Sequence, residues 1–142
     1  MGGPGYTVNV PQAWEVTRPP RTVAATRREG PESVSVAVFR LARPFSPAKW
    51  ADAVRELNDV AARLAERLGP AALVDMTRDD TIGGRRARVY ELSYRRGGAE
   101  LVDRVAFVLV GRREYQLTCR IAVDRDEGER ACDELFGSFR LR

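Results

Sequence analysis

The chain has 142 residues, 44% apolar and 31% charged, and carries a net charge of +4. That is the balance of one globular domain, able to bury roughly two thirds of its unfolded surface without a metal or disulfide staple. It has no histidine and only two cysteines, Cys119 and Cys132, which excludes zinc sites of the usual spacing and any Ser–His or Cys–His nucleophile.

The longest apolar runs, Val105 to Val110 and one helix face, fall far short of the roughly eighteen residues of a spanning helix. No charged stretch followed by an apolar one opens the chain, so no signal peptide is expected. Met1-Gly2-Gly3-Pro4-Gly5 reads as a flexible leader, either a native beginning or what remains beyond a removed export signal. Residues 6–142 read as a single domain.

Tyr6, Val8 and Val10 alternate as a short strand, and Pro11-Gln12-Ala13-Trp14 turns the chain. A second strand begins at Trp14 and Val16 and stops at Pro19-Pro20, and Thr22 to Thr26 forms a third. After the Gly30-Pro31 turn, Ser33 to Leu41 is a Val-rich strand with apolar residues on both faces, as expected of a buried position.

A long helix follows over 47–68. Ser46 is placed to cap it, and Pro47 sits where its missing N–H costs nothing. Trp50, Val54, Leu57, Ala61, Leu64 and Leu68 recur at spacings of four and three, one apolar stripe to pack on a sheet. Its polar face balances acids and bases, unlike the basic face of a membrane-surface helix. Gly69-Pro70 ends it.

Ala71 to Ile82 reads as a strand with a polar middle, then Gly83-Gly84 turns into Arg86 to Tyr94. A tip at Arg95-Arg96-Gly97-Gly98 leads to Leu101–Val110, which is apolar on both faces beyond Arg104 and therefore central. Gly111-Arg112-Arg113 turns again. Tyr115, Leu117, Cys119, Ile121 and Val123 then alternate strictly with polar residues, one face to a core. A short helix spans 126–136 with Cys132, Leu135 and Phe136 inward, and Phe139 follows. Short links between successive strands make the sheet mostly antiparallel, and two helices over it give an α+β or three-layer sandwich.

Several motifs together resemble the PsbP-like superfamily, which includes the photosystem II extrinsic protein, a yeast Ran-binding protein of that fold, DcrB-related proteins and exported bacterial lipoproteins. Tyr6-Thr7-Val8-Asn9-Val10-Pro11-Gln12-Ala13-Trp14 is similar to its strand-Pro-x-x-Trp entry. Gly84-Arg85-Arg86-Ala87 is similar to the Gly-x-x-Ala step that opens its strand meander. Gly111 to Thr118 resembles its Gly-x-x-x-Tyr-x-Leu strand, and Phe136-Gly137-Ser138-Phe139-Arg140 its closing Ser-Phe. The resemblance spans nearly the whole chain and implies an α/β/α sandwich with little specific function. No lipobox cysteine is present, a departure from the lipid-anchored members.

Catalytic candidates are thin. A Ser–Lys pair would need Lys49, on the first turn of the long helix and poorly placed to lose its water. Asp75, Asp79 and Asp80 read as a polar strand end rather than a carboxylate pair. The acidic run from Asp124 begins like a calcium loop but meets Leu135 where the bidentate acid belongs. No catalytic, cofactor or metal residues are expected.

Cys119 and Cys132 face inward on adjacent elements, as two buried thiols or as a disulfide; the latter would argue for an oxidising compartment. All but one of the 24 basic residues are Arg, a bias a GC-rich coding sequence explains. Strand direction nevertheless places the Gly84 and Gly111 turns at one end of the sheet. Arg85, Arg86, Arg112 and Arg113 should gather there as a candidate anionic-partner surface, with Arg95 and Arg96 at the other end. No aromatic residues interleave at these turns, so nucleic acid is disfavoured.

The expected function is a non-enzymatic binding module, with export or the cell surface slightly favoured, taking a protein or small ligand against the sheet or beside a helix. The alternative, implied by the resemblance to DcrB-related proteins, is a cytoplasmic chaperone or adaptor that binds an apolar client helix and dimerises.

Overall fold

The computed structural model covers residues 1–142. Nine strands and two α-helices follow in order: β1 (Gly2–Gly3), β2 (Tyr6–Thr7), β3 (Glu15–Thr17), β4 (Thr22–Thr26), β5 (Ser33–Phe45), α1 (Trp50–Leu68), β6 (Leu73–Ile82), β7 (Arg85–Arg96), β8 (Ala99–Ala122), α2 (Glu127–Ser138) and β9 (Arg140–Leu141). The main sheet runs β3-β4-β5-β8-β7-β6 with every neighbouring pair antiparallel.

The extended run β8 is 24 residues long. Fully stretched it would reach about 80 Å, twice the roughly 40 Å breadth of a domain of this size. It folds back on itself: the Val123 N–H donates to the Glu100 carbonyl at 3.1 Å, and Arg120 reaches Asp103 at the same distance. The reversal falls at Gly111, φ 58°, a glycine-first two-residue turn of the kind that suits the twist of paired strands. The first half of β8 pairs with β7 and the second half with β5. Both halves are thus interior to the sheet, which explains why Val105 to Leu109 are buried without interruption.

Alternation sorts the two halves of the core. Phe107 and Leu109 join Tyr90, Leu92 and Val105 under α1, where Leu57, Ala61 and Ala65 complete the contact. Ala106 and Val108 point the other way, toward α2, and join Val34, Val36, Leu117, Cys119, Cys132 and Leu135. The result is an α/β/α sandwich. Leu57 is 3% exposed, so its burial contributes about 2 kcal/mol.

A small sheet, β1-β2-β9, lies apart from the main one. It brings Tyr6 against Tyr115 and Phe139, with ring centroids 5.7 and 5.8 Å away. The residues read as a leader are therefore tied down: Gly2–Gly3 pairs with Tyr6–Thr7, and the Val8 N–H donates to the Met1 carbonyl at 2.9 Å. Strand pairing stops at Thr7 rather than Val10, and the next strand begins at Glu15, beyond Trp14.

The remaining boundaries move modestly. The β5 strand continues to Phe45, past an irregularity between Arg40 and Phe45 that accommodates Pro44, a residue with no N–H to offer the ladder. The long helix enters through a 3-10 turn, Pro47–Lys49, in which the Lys49 N–H donates to the Ser46 carbonyl at 2.9 Å. Ser46 makes no side-chain cap, contrary to its expected role. The second helix covers Glu127–Ser138, with Glu127 and Glu129 in its first turn, where they complement the helix dipole.

Candidate functional site

The Gly84 and Gly111 turns do meet at one end of the sheet, since Ala87 lies opposite Val108 and Ile82 opposite Arg85. The four arginines expected there are all exposed but are differently engaged. Arg86 is paired with Asp79 at 2.7 Å, and its guanidinium stacks 4.5 Å from the Trp50 ring centroid. Arg112 donates to the Ala42 carbonyl at 3.3 Å, and Arg113 to the Tyr115 hydroxyl at 3.3 Å. Arg85 makes no ion pair. A hollow of about 150 Å³ sits beneath them, lined by Phe45, Pro47, Trp50, Leu109 and Val110 with Arg85 and Arg86.

The acids of β6 do not converge as a pair. Asp79 accepts from both Arg86 and Arg88, which together hold its carboxyl below the ordinary range. Asp75 accepts from the Ser93 hydroxyl, and Asp80 from the Thr81 N–H at 2.7 Å. No three side chains come together as metal ligands.

Two buried carboxylates were not legible as such in the sequence. Asp103, 4% exposed, accepts from the Tyr94 hydroxyl at 2.7 Å and from two nitrogens of Arg120 at 3.1 Å each. Burial, reinforced by the hydrogen bond and charge of Asp103, pushes the Tyr94 phenol well above its usual value. Such a phenol stays protonated and serves as a fixed donor. Glu32 is fully buried and held by Arg27 at 3.0 Å, with Arg125 at 3.6 Å, so it pins the turn before β5 to the start of α2. Asp103 sits in a run of strand residues and Glu32 in a turn, and in sequence neither position differs from that of a solvent-facing acid.

Cys119 and Cys132 are joined by a disulfide with a Cα–Cα separation of 5.5 Å, within the range such bonds require. It bolts α2 to the second half of β8, and both cysteines are fully buried.

A larger concavity lies at the opposite end of the sheet from the arginines. A cleft of about 600 Å³ opens where α1 gives way to β6, with Leu68, Ala72, Leu73, Leu101 and Val123 among its walls. Its polar groups are already occupied: Asp75 with Ser93, Arg95 with Glu100 at 2.7 Å, and Tyr94 with Asp103. Leu73 and Val123 are 63% and 54% exposed, apolar surface left at the mouth. No sequence motif marked this cleft, because its walls come from a helix end, a loop and three separate strand ends.

No family model matches the chain, and no curated protein matches it in sequence. Solved structures do. The fold is similar to that of LpqN, a protein involved in cell envelope biogenesis of Mycobacterium tuberculosis, at 16% identity, with 99% of this chain and 86% of LpqN covered and a TM-score of 0.66. It is similar too to CyanoP, the cyanobacterial PsbP of Synechocystis sp. PCC 6803, at 14% identity over 100% of this chain and 95% of CyanoP, TM-score 0.55. The fold is PsbP-like. The chain is similar also to a protein from Bacteroides thetaiotaomicron at 9% identity and TM-score 0.66; it covers 45% of that protein's length, with 96% of itself aligned. At such identities the likeness concerns the path of the backbone, and the side chains must speak for the ligand.

Proposed function

We propose that this PsbP-like domain is a non-enzymatic binding module of an exported or cell-surface protein, and that the apolar cleft at the end of α1 takes its ligand. The observation that carries this reading is the cleft itself. It is about 600 Å³, a typical volume for a small-ligand site, and its ionisable groups are spent on one another rather than aimed at a reacting centre. The buried Cys119–Cys132 bond supports an oxidising compartment over the cytoplasm. The envelope role of LpqN, on a shared fold, agrees with that location. No helix of the chain is long and apolar enough to cross a membrane. The four-arginine rim is proposed as a second, separate contact surface for an anionic partner.

Leu73→Glu and Val123→Glu alter only the exposed mouth of the cleft. The parent should enhance the fluorescence of the neutral apolar dye N-phenylnaphthylamine, and the double variant should not, with circular dichroism unchanged in both. Equal enhancement by parent and variant would remove the cleft from the proposal.

A further inference from the structure

The basic rim is larger than its two turns. Arg40 lies opposite Arg113 in the β5–β8 register, so the end of β5 delivers its own arginine to the same edge. The small terminal sheet adds more. Gly5 sits against the Arg113 guanidinium, and the Arg142 N–H donates to the Gly5 carbonyl at 2.9 Å. The Phe139 ring packs on Gly83, at 2.8 Å from where a Cβ would stand, which places Arg140 beside the first turn. Arg40, Arg85, Arg112, Arg113, Arg140 and Arg142 are all exposed.

Several of these guanidiniums are held by carbonyl oxygens: Arg112 by Ala42, Arg140 by Gly137 and Phe139, Arg142 by Gly3 and Tyr6. Carbonyls orient a cation without neutralising it. Of the acids near this end, Asp79 is matched by Arg86 and Arg88 and Asp80 by Arg78, while Glu114, beside Arg113, makes no ion pair and lies in a hollow with Phe39, Val60 and Leu64. The opposite end of the sheet is different, for there Glu100 answers Arg95 and Glu32 answers Arg27 and Arg125. The modest net charge of +4 therefore hides a polarised molecule with one strongly basic pole.

We infer that this pole docks on an anionic phospholipid surface. The inference extends the anionic-partner reading of the rim and rests on it. The cations stand at turn tips and chain ends on separate strands, and the hollow flanked by Arg85 and Arg86 is only about 150 Å³, an arrangement that meets a plane better than it holds a strand. Trp50, with Arg86 stacked on it, sits beside Phe45 at the edge of that face, and an indole flanked by arginine belongs at the headgroup level of a bilayer. Each basic side chain near an anionic leaflet contributes roughly 1 kcal/mol, within a Debye length of the surface.

The test is co-sedimentation of the full chain with phosphatidylcholine vesicles and with vesicles of equal parts phosphatidylcholine and phosphatidylglycerol. Binding is expected to the second only, and to fade at high salt. An Arg85→Ala, Arg112→Ala, Arg140→Ala triple variant, at roughly 1 kcal/mol per side chain, should bind about a hundredfold more weakly. Arg28→Ala with Arg96→Ala, at the other pole and outside the cleft, should bind like the parent. Equal binding to both vesicle types, or an equal loss in the two variants, overturns the inference. Retention on immobilised polyaspartate without vesicle binding also overturns it, while leaving the anionic-partner reading of the rim intact; failure on both surfaces ends that reading as well.

Discussion

Replacing Cys119 and Cys132 together with Ala removes a crosslink between residues 13 apart in the chain. In the chain-entropy account, a closed loop of that size restricts the unfolded ensemble by about 3 kcal/mol. The two side chains are fully buried, and their sulfur volume is only partly recovered by repacking, which adds on the order of 1 kcal/mol. A domain of 142 residues unfolds with an entropy of roughly 0.3 kcal/mol/K, so the variant should melt about 13 °C lower. Thermal unfolding by circular dichroism, on protein matured under oxidising conditions, reads this directly. The parent with reductant should fall most of the way to the variant once it has been opened enough to react, because the bond has no solvent access in the folded state. If the oxidised parent and the variant melt within about 2 °C of each other, or if the denatured, unreduced parent titrates two free thiols, the reasoning fails, and with it the argument for an oxidising compartment.

Asp103→Ala leaves Arg120 and the Tyr94 hydroxyl facing a site without its anion; it should cost about 3–5 kcal/mol in urea unfolding, whereas Tyr94→Phe should cost only about 1 kcal/mol. Glu114 offers a pH test, since burial alone raises its carboxyl pKa. A raised folded value means the stabilising, protonated form is present below about pH 4.3 and its contribution is lost as pH rises through the folded value. Glu114→Gln should therefore unfold at higher urea than the parent at neutral pH, and the gain should shrink toward acid; a gain that is flat with pH would refute the burial argument. Gly83→Ala and Gly84→Ala share the strain of positive φ, 61° and 75°, but only the first drives a methyl into the Phe139 ring at 2.8 Å. The first should lose more stability than the second by roughly 1–3 kcal/mol, as compared by thermal melts.

What could be read from the sequence was what repeats locally. The stripe from Trp50 to Leu68 declares its period over five turns, and the alternation from Tyr115 to Ile121 declares which face Cys119 would take. Gly83-Gly84 and Gly111 announce reversals because few other residues accept the backbone there, so the order of the meander, and hence the meeting of its two arginine turns, followed from punctuation. The small sheet escaped because strands of two residues, Gly2–Gly3 and Arg140–Leu141, are too short to show any period, and the partner of Arg140–Leu141 lies more than a hundred residues away at Tyr6–Thr7. Asp103 escaped for a related reason. Its neutralising partner Arg120 and its donor Tyr94 arrive from other strands, and nothing beside it in the chain distinguishes a buried acid from a wet one. The cleft, assembled from segments around residues 70, 94, 101 and 123, and the contribution of Arg40, Arg140 and Arg142 to the basic pole, are likewise properties of assembly.

The pairing of Tyr6 with Leu141 carries a consequence for how the molecule is made. The aromatic cluster of Tyr6, Tyr115 and Phe139 cannot close until synthesis has reached Phe139, so the Tyr6–Thr7 strand, though paired early with Gly2–Gly3, keeps its other edge open until Arg140–Leu141 arrives. The meander and its helices can form earlier from local contacts, and the terminal sheet then snaps shut as the slow, long-range step.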